Sequence, residues 1–189
     1  MDPAWHIAVA PTPHTCLRLR LEPLTLGHVF LLREYGVEFE QPGFKDLIVG
    51  VFICSSPHAT SRKHLRRWWA KHFMAFLGFL CRKIDLFGEA RKFSRYMTEG
   101  MACPMMHRFS NGPARLLKAP EEWRLLTMLE EAFHKSKKEA LDLTMAEAHC
   151  RWAAHADKLG TAQLMTDDER EFWQYARRMD LEKSISRSE

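Results

Sequence analysis

The chain has 189 residues, of which 46% are apolar and 28% charged, with a formal net charge of +4 at neutral pH. That length suits one domain, and that composition excludes wholesale disorder. The charge is unevenly spread, with residues 1–59 summing to −2, residues 60–118 to +10 and residues 119–189 to −4.

In chain order, residues 1–14 hold Pro3, Pro11 and Pro13 and read as a flexible arm, with a short strand over Trp5–Ala10. Cys16–Glu22 alternates Leu17, Leu19 and Leu21 with Arg18, Arg20 and Glu22, the period of a half-buried strand. The two segments are expected to pair across Pro11–His14 as a short N-terminal β-hairpin. Pro23 ends the strand, Thr25 suits an N-cap, and a helix is predicted from Leu26 to Tyr35 with Gly36 as its stop. Pro42 and Gly43 form a turn. A buried helix over Phe44–Ser55 follows, with Asp46 in its first turn.

The segment from Ser61 to Asp85 reads as one central helix. Leu65, Trp68, Trp69, His72, Phe73, Phe76, Leu77, Leu80 and Ile84 recur at three- and four-residue spacing. Trp69, Phe73, Phe76 and Leu80 are expected to form the heart of the core, with His72 as a hydrogen-bonded core histidine. Arg62, Lys63, Arg66, Arg67 and Lys71 occupy the opposite face and are the candidate interaction residues. The plain expectation is that the acidic last third packs beside this basic centre and neutralises much of it.

Gly88–Thr98 is predicted as a short helix with Phe93, Tyr96 and Met97 on one side. Gly100–Pro120 is the least regular segment, punctuated by Pro104, Ser110-Asn111-Gly112, Pro113 and Pro120. Pro120 then opens a helix to about Phe133, faced by Trp123, Leu126, Leu129 and Phe133. Thr144-x-x-Glu147 and Thr166-x-x-Glu169 are capping-box patterns. They start a helix that ends at Gly160 and another from Asp167 to about Lys183. The fold class expected is mainly α: one helical domain over residues 15–183 with the N-terminal hairpin, and a frayed tail over 184–189.

Five cysteines stand singly, at Cys16, Cys54, Cys81, Cys103 and Cys150, which argues for reduced thiols. With Asp2 and the prolines after it, the start of the chain is not expected to act as a signal peptide. The longest apolar run, Phe73–Cys81, is far shorter than the ~20 residues a membrane span needs. A cytoplasmic protein with no membrane partner is expected. Phosphate-binding glycine loops, nucleophile elbows and HExxH are lacking. Cys103-Pro-Met-Met-His107, His149-Cys150 and His155 are the best metal candidates, but no CxxC accompanies them. No metal, no cofactor and no catalytic residue is expected.

Three stretches, Leu21-Glu22-Pro23-Leu24-Thr25-Leu26-Gly27-His28-Val29-Phe30-Leu31-Leu32, Asp46–Ser55 and Ala119-Pro120-Glu121-Glu122-Trp123, resemble the tail assembly chaperones of tailed bacteriophages and prophages. Ala140-Leu141-Asp142-Leu143-Thr144-x-x-Glu147-Ala148 and Leu159-Gly160 continue the similarity, which covers roughly residues 21–165. The long basic segment and the Met- and His-rich stretch at 101–109 depart from the shorter members. The resemblance implies a non-enzymatic helical protein of the bacterial host cytoplasm that holds the tape measure protein, or another tail protein, during tail morphogenesis. Self-association is left open. The alternative is a nucleic-acid-binding protein using the basic helix that starts at Ser61, where cations stand beside Trp68 and Trp69.

Overall fold

The computed structural model describes residues 2–38, 43–80, 84–108 and 119–185. It is mainly α, as expected, with two small antiparallel sheets. The N-terminal segment forms helix α1 (Pro3–Val9), not a strand. Proline at the first helical position and the Asp2 carboxylate accepting from the Ala4 amide (2.9 Å) start it. α1 packs on α9 (Met145–Lys158), burying Ala4.

The hairpin lies one step later than expected. β1 (His14–Cys16) pairs with β2 (Leu19–Leu21) around a two-residue turn, Leu17–Arg18. Both turn residues have positive φ, 49° and 64°, as a type I′ turn requires. Neither is glycine. The Leu17 amide donates to the Glu89 carboxylate at 2.6 Å, and the Leu17 side chain is buried, which offsets the strain.

α2 (Leu26–Glu34) and α3 (Phe44–Cys54) match the expected bounds closely. Thr25 caps α2 reciprocally with His28. The Thr25 hydroxyl accepts from the His28 amide, and His28 Nδ1 accepts from the Thr25 amide, both at 3.2 Å. Buried His28 uses its second nitrogen, Nε2, to donate to the Ser56 carbonyl at 2.8 Å. Burial holds its pKa down at about 4, so the ring that caps α2 is neutral. Gly36, with φ +66°, follows the helix in the left-handed region.

The predicted central helix is two helices, α4 (His58–Leu65) and α5 (Trp69–Leu80), separated by Arg66–Trp68. Ser61 and Ala70 are both buried. They stand nine residues apart, which a straight helix would place about 180° apart. Breaking the helix re-phases it, so that Ser61, Ala70 and Leu77 can all be covered while α4 and α5 both lie on α3. Ser61 Oγ donates to the Ile53 carbonyl at 2.7 Å, fixing α4 to the end of α3.

That break overturns the expected core. Trp68 is 81% exposed and Phe76 54%. His72 is exposed, and Trp69 and Phe73 are only partly buried. The side chain of Leu80 lies outside the described residues. The core is instead built by α2, α3, α6 (Leu86–Gly100), α7 (Glu121–Glu131) and α9. Phe93, Tyr96 and Met97, expected on one side of α6, are buried. Phe93 fills the space beside Gly50, where an added Cβ would stand 2.5 Å from its ring.

α7 buries Leu125, Leu126 and Leu129, while Trp123, expected on the core face, is 49% exposed. α8 (Lys137–Asp142), not foreseen, starts on a Ser136–Glu139 capping box. Thr25 and Thr144, the caps of α2 and α9, form an antiparallel bridge. Leu26 N donates to Leu143 O (2.9 Å) and Met145 N to Leu24 O (2.8 Å). β3 (Met106–Arg108) pairs with β4 (Ala162–Leu164), also unforeseen. α10 (Asp167–Ile185) begins on the expected Thr166–Glu169 box. Arg170 ties it to Asp2 at 3.0 Å.

Candidate interaction surfaces

Arg62, Lys63, Arg66, Arg67 and Lys71 are all exposed, as the sequence implied. They do not share one helix face. Arg62 and Lys63 lie on α4, Arg66 and Arg67 in the break, and Lys71 on α5. Arg62 stands 3.6 Å from Glu34 of α2, a pair more than half exposed and so of small energetic weight. Among the described residues, the acidic last third does not cover this ridge: α4 and α5 rest on α3 and their cations face out.

The break also turns Trp68 outward among these cations. Its ring stands edge-on to His72 at 5.7 Å. Further along, Phe79 is 64% exposed, and Phe87 lies under the Arg91 guanidinium at 5.0 Å. Exposed Trp68 therefore stands beside the cations of the α4–α5 turn, where the apolar period places it on the core face.

A second feature has no counterpart in the sequence reading. A cleft of about 430 Å³ opens between α2, α7, α8 and the start of α4. Its apolar wall comes from Phe30, Leu31, Trp123, Leu126 and Leu141. Phe30 and Trp123 meet edge to face at 5.1 Å, and the Lys137 ammonium lies 6.0 Å from the Trp123 ring. Ion pairs edge the wall, Arg33 Nε with Glu122 at 2.8 Å and Arg62 with Glu34, and His58 Nδ1 lies 3.2 Å from the Asp142 carboxylate.

Local sequence explains why these groups meet. Gly27 has no side chain, so the His58 ring can lie against α2; a Cβ there would stand 2.4 Å from it. Burial lowers the His58 pKa against the opposing pull of Asp142, with Arg62 adding to the lowering. The Thr25–Thr144 bridge fixes α9 and the end of α8 against α2. An apolar wall with ion-paired edges suits an amphipathic helix or an apolar peptide segment.

The metal candidates do not converge. Among the described residues, no group of three or more His, Cys, Asp or Glu side chains is placed to hold a metal ion. His149 is buried, with Nδ1 at 3.3 Å from the Ala102 carbonyl and Nε2 at 3.5 Å from Glu121. His155 instead stands against Phe133, with ring centroids 5.6 Å apart. Burial pushes the Cys16, Cys54 and Cys150 thiols up to about 12, so none is a thiolate at neutral pH.

Among the described residues, no helix is long and apolar enough to cross a membrane. No protein-family model, curated protein or solved structure matches the chain.

Proposed function

We propose that this protein is a non-enzymatic tail assembly protein of a bacteriophage or prophage, acting in the host cytoplasm. It holds an apolar helical stripe of the tape measure protein, or of another tail protein, in the α2–α7–α8 cleft. The observation that carries this reading is the cleft, with Phe30, Leu31, Trp123, Leu126 and Leu141 on its wall and the ion pairs Arg33–Glu122 and Arg62–Glu34 at its edge. The motif resemblance over roughly residues 21–165 supplies the biological setting, since Leu24–Leu32, Ala119–Trp123 and Ala140–Ala148 build or flank this same cleft. A long helical protein with an uncovered apolar stripe needs such a cover before assembly. Edge charges then set register and on-rate more than affinity.

The test is co-expression with a tape measure protein, the partner proposed here. The expected result is a soluble complex that Trp123→Glu disrupts, with the fold of the variant unchanged because Trp123 is half exposed. A partner that stays insoluble beside the wild-type chain, or a complex indifferent to Trp123→Glu, contradicts the reading.

A further inference from the structure

We infer that the turn between α4 and α5 is a binding site for single-stranded nucleic acid, separate from the cleft, with Trp68 as the stacking platform and Arg66, Arg67 and Lys71 as phosphate contacts. Three observations converge on it. The helix break delivers Trp68 to solvent, 81% exposed, instead of into the core. Arg66 and Arg67 precede the ring directly, Lys71 follows it by three residues, and all three are exposed. Residues 47–84 contain no Asp or Glu, while they carry seven Lys or Arg. A polyanion approaching this turn therefore meets no carboxylate from α4 or α5. Glu34 of α2 is a nearby acid, 3.6 Å from Arg62 in the last turn of α4, one helical turn before Arg66.

The chemistry favours a single strand over other polyanions. A base offers a flat face for the indole, and the adjoining phosphate meets a guanidinium at the same step; affinity then tolerates any sequence. A duplex keeps its bases stacked and leaves Trp68 without a partner. An interfacial membrane helix separates its apolar and cationic faces. Here ring and cations occupy one turn, so an acyl layer that took the ring would draw the guanidiniums in as well. Phe76 and Phe79 of α5 are exposed as well.

The experiment is fluorescence anisotropy of a labelled oligothymidylate of about 20 nucleotides, titrated with the full chain between about 50 and 200 mM salt. With these three phosphate contacts, affinity is expected to fall about 20-fold across that range. Trp68→Ala is expected to weaken binding by roughly 5- to 150-fold at fixed salt, the worth of one stacked base. Arg66→Gln with Arg67→Gln is expected to lower the salt slope by about 1.4. Both variants change exposed residues, and circular dichroism checks that they fold. Trp123→Glu, in the cleft, is expected to leave oligonucleotide binding intact, which separates this site from the proposed tail-protein site. The inference is overturned by absence of binding at about 50 mM salt or by binding that Trp68→Ala leaves unchanged. Capture by phosphatidylglycerol vesicles without oligonucleotide binding overturns it too.

Discussion

α3 and α5 are apolar helices of nearly equal length, Phe44–Cys54 and Trp69–Leu80, and they touch one another. α3 is buried on almost every side, with Val51, Ile53 and Cys54 wholly enclosed. α5 buries Ala70 and Leu77, while Phe76 and Phe79 face out. Hydrophobicity alone does not separate them. Neighbours do: β2, α2, α4, α5 and α6 surround α3, whereas α5 rests chiefly on α3. Gly50 lets Phe93 of α6 close on α3, and Ser61 bonds the carbonyl of Ile53 at its end. Among the described residues, an apolar helix that rests chiefly on one neighbour keeps rings exposed, and one packed among five carries the core.

The sharpest way to break this comparison is to cut both sides of it. Phe93→Ala is expected to cost about 3–5 kcal/mol in urea unfolding, because the ring is enclosed against Gly50. Ile53→Ala, in α3 itself, is expected to cost about 2–5 kcal/mol. A small loss in either variant would mean that α3 is not the centre.

Next in size is a pH effect confined to the core. His28 has its pKa held at about 4 in the fold, below its ordinary value of 6.5. The unfolded chain therefore binds the extra proton first. Stability from this group is full above about pH 6.5 and is lost as pH falls from there to about 4, by about 3 kcal/mol. His28→Asn is expected to flatten that part of the stability–pH curve. An unchanged slope would mean that the ring is not sealed against protonation.

The two bridged caps come third. Thr25→Ala and Thr144→Ala are each expected to cost about 1 kcal/mol. Because the two caps pair with one another, their double variant is expected to fall short of or exceed the sum. Strict additivity would show that the bridge carries no coupling. The smallest effect belongs to the ridge: Phe76→Ala is expected to change stability by no more than about 0.5 kcal/mol.

Much of the fold was legible where the chain states its boundaries locally. Thr25 and Gly36 bracket α2, Thr144 and Gly160 bracket α9, and Thr166 opens α10. α8 carried the same signal in Ser136-x-x-Glu139, and α1 carried one in Asp2-Pro3; both were readable and missed. β3 and β4 span three residues each, too short to show a period. The central segment failed for a different reason. Its aromatic period is real, but periodicity identifies a face without saying what covers it. The decisive fact, that Ser61 and Ala70 are both covered although out of phase, depends on where α3 lies.

The candidate surfaces divide in the same way. The five cations were legible because charged side chains seldom go inside without partners. The exposure of Trp68 was not, since a tryptophan in a periodic apolar pattern reads as core. The cleft was invisible for want of proximity: Phe30 and His58 come from α2 and α4, and Trp123 and Leu141 from α7 and α8, more than sixty residues further along. The spacing Gly27…His58 offered no signal, because the contact that needs a bare α-carbon is made only after folding.

Hydrogen exchange followed peptide by peptide in the unmodified protein compares the two helices most directly. Amides of α3 are expected to exchange only through global unfolding, and those of α5 orders of magnitude faster through local opening. Equal protection of residues 44–54 and 69–80 would contradict the account, because it would place α5 inside the same cooperative core.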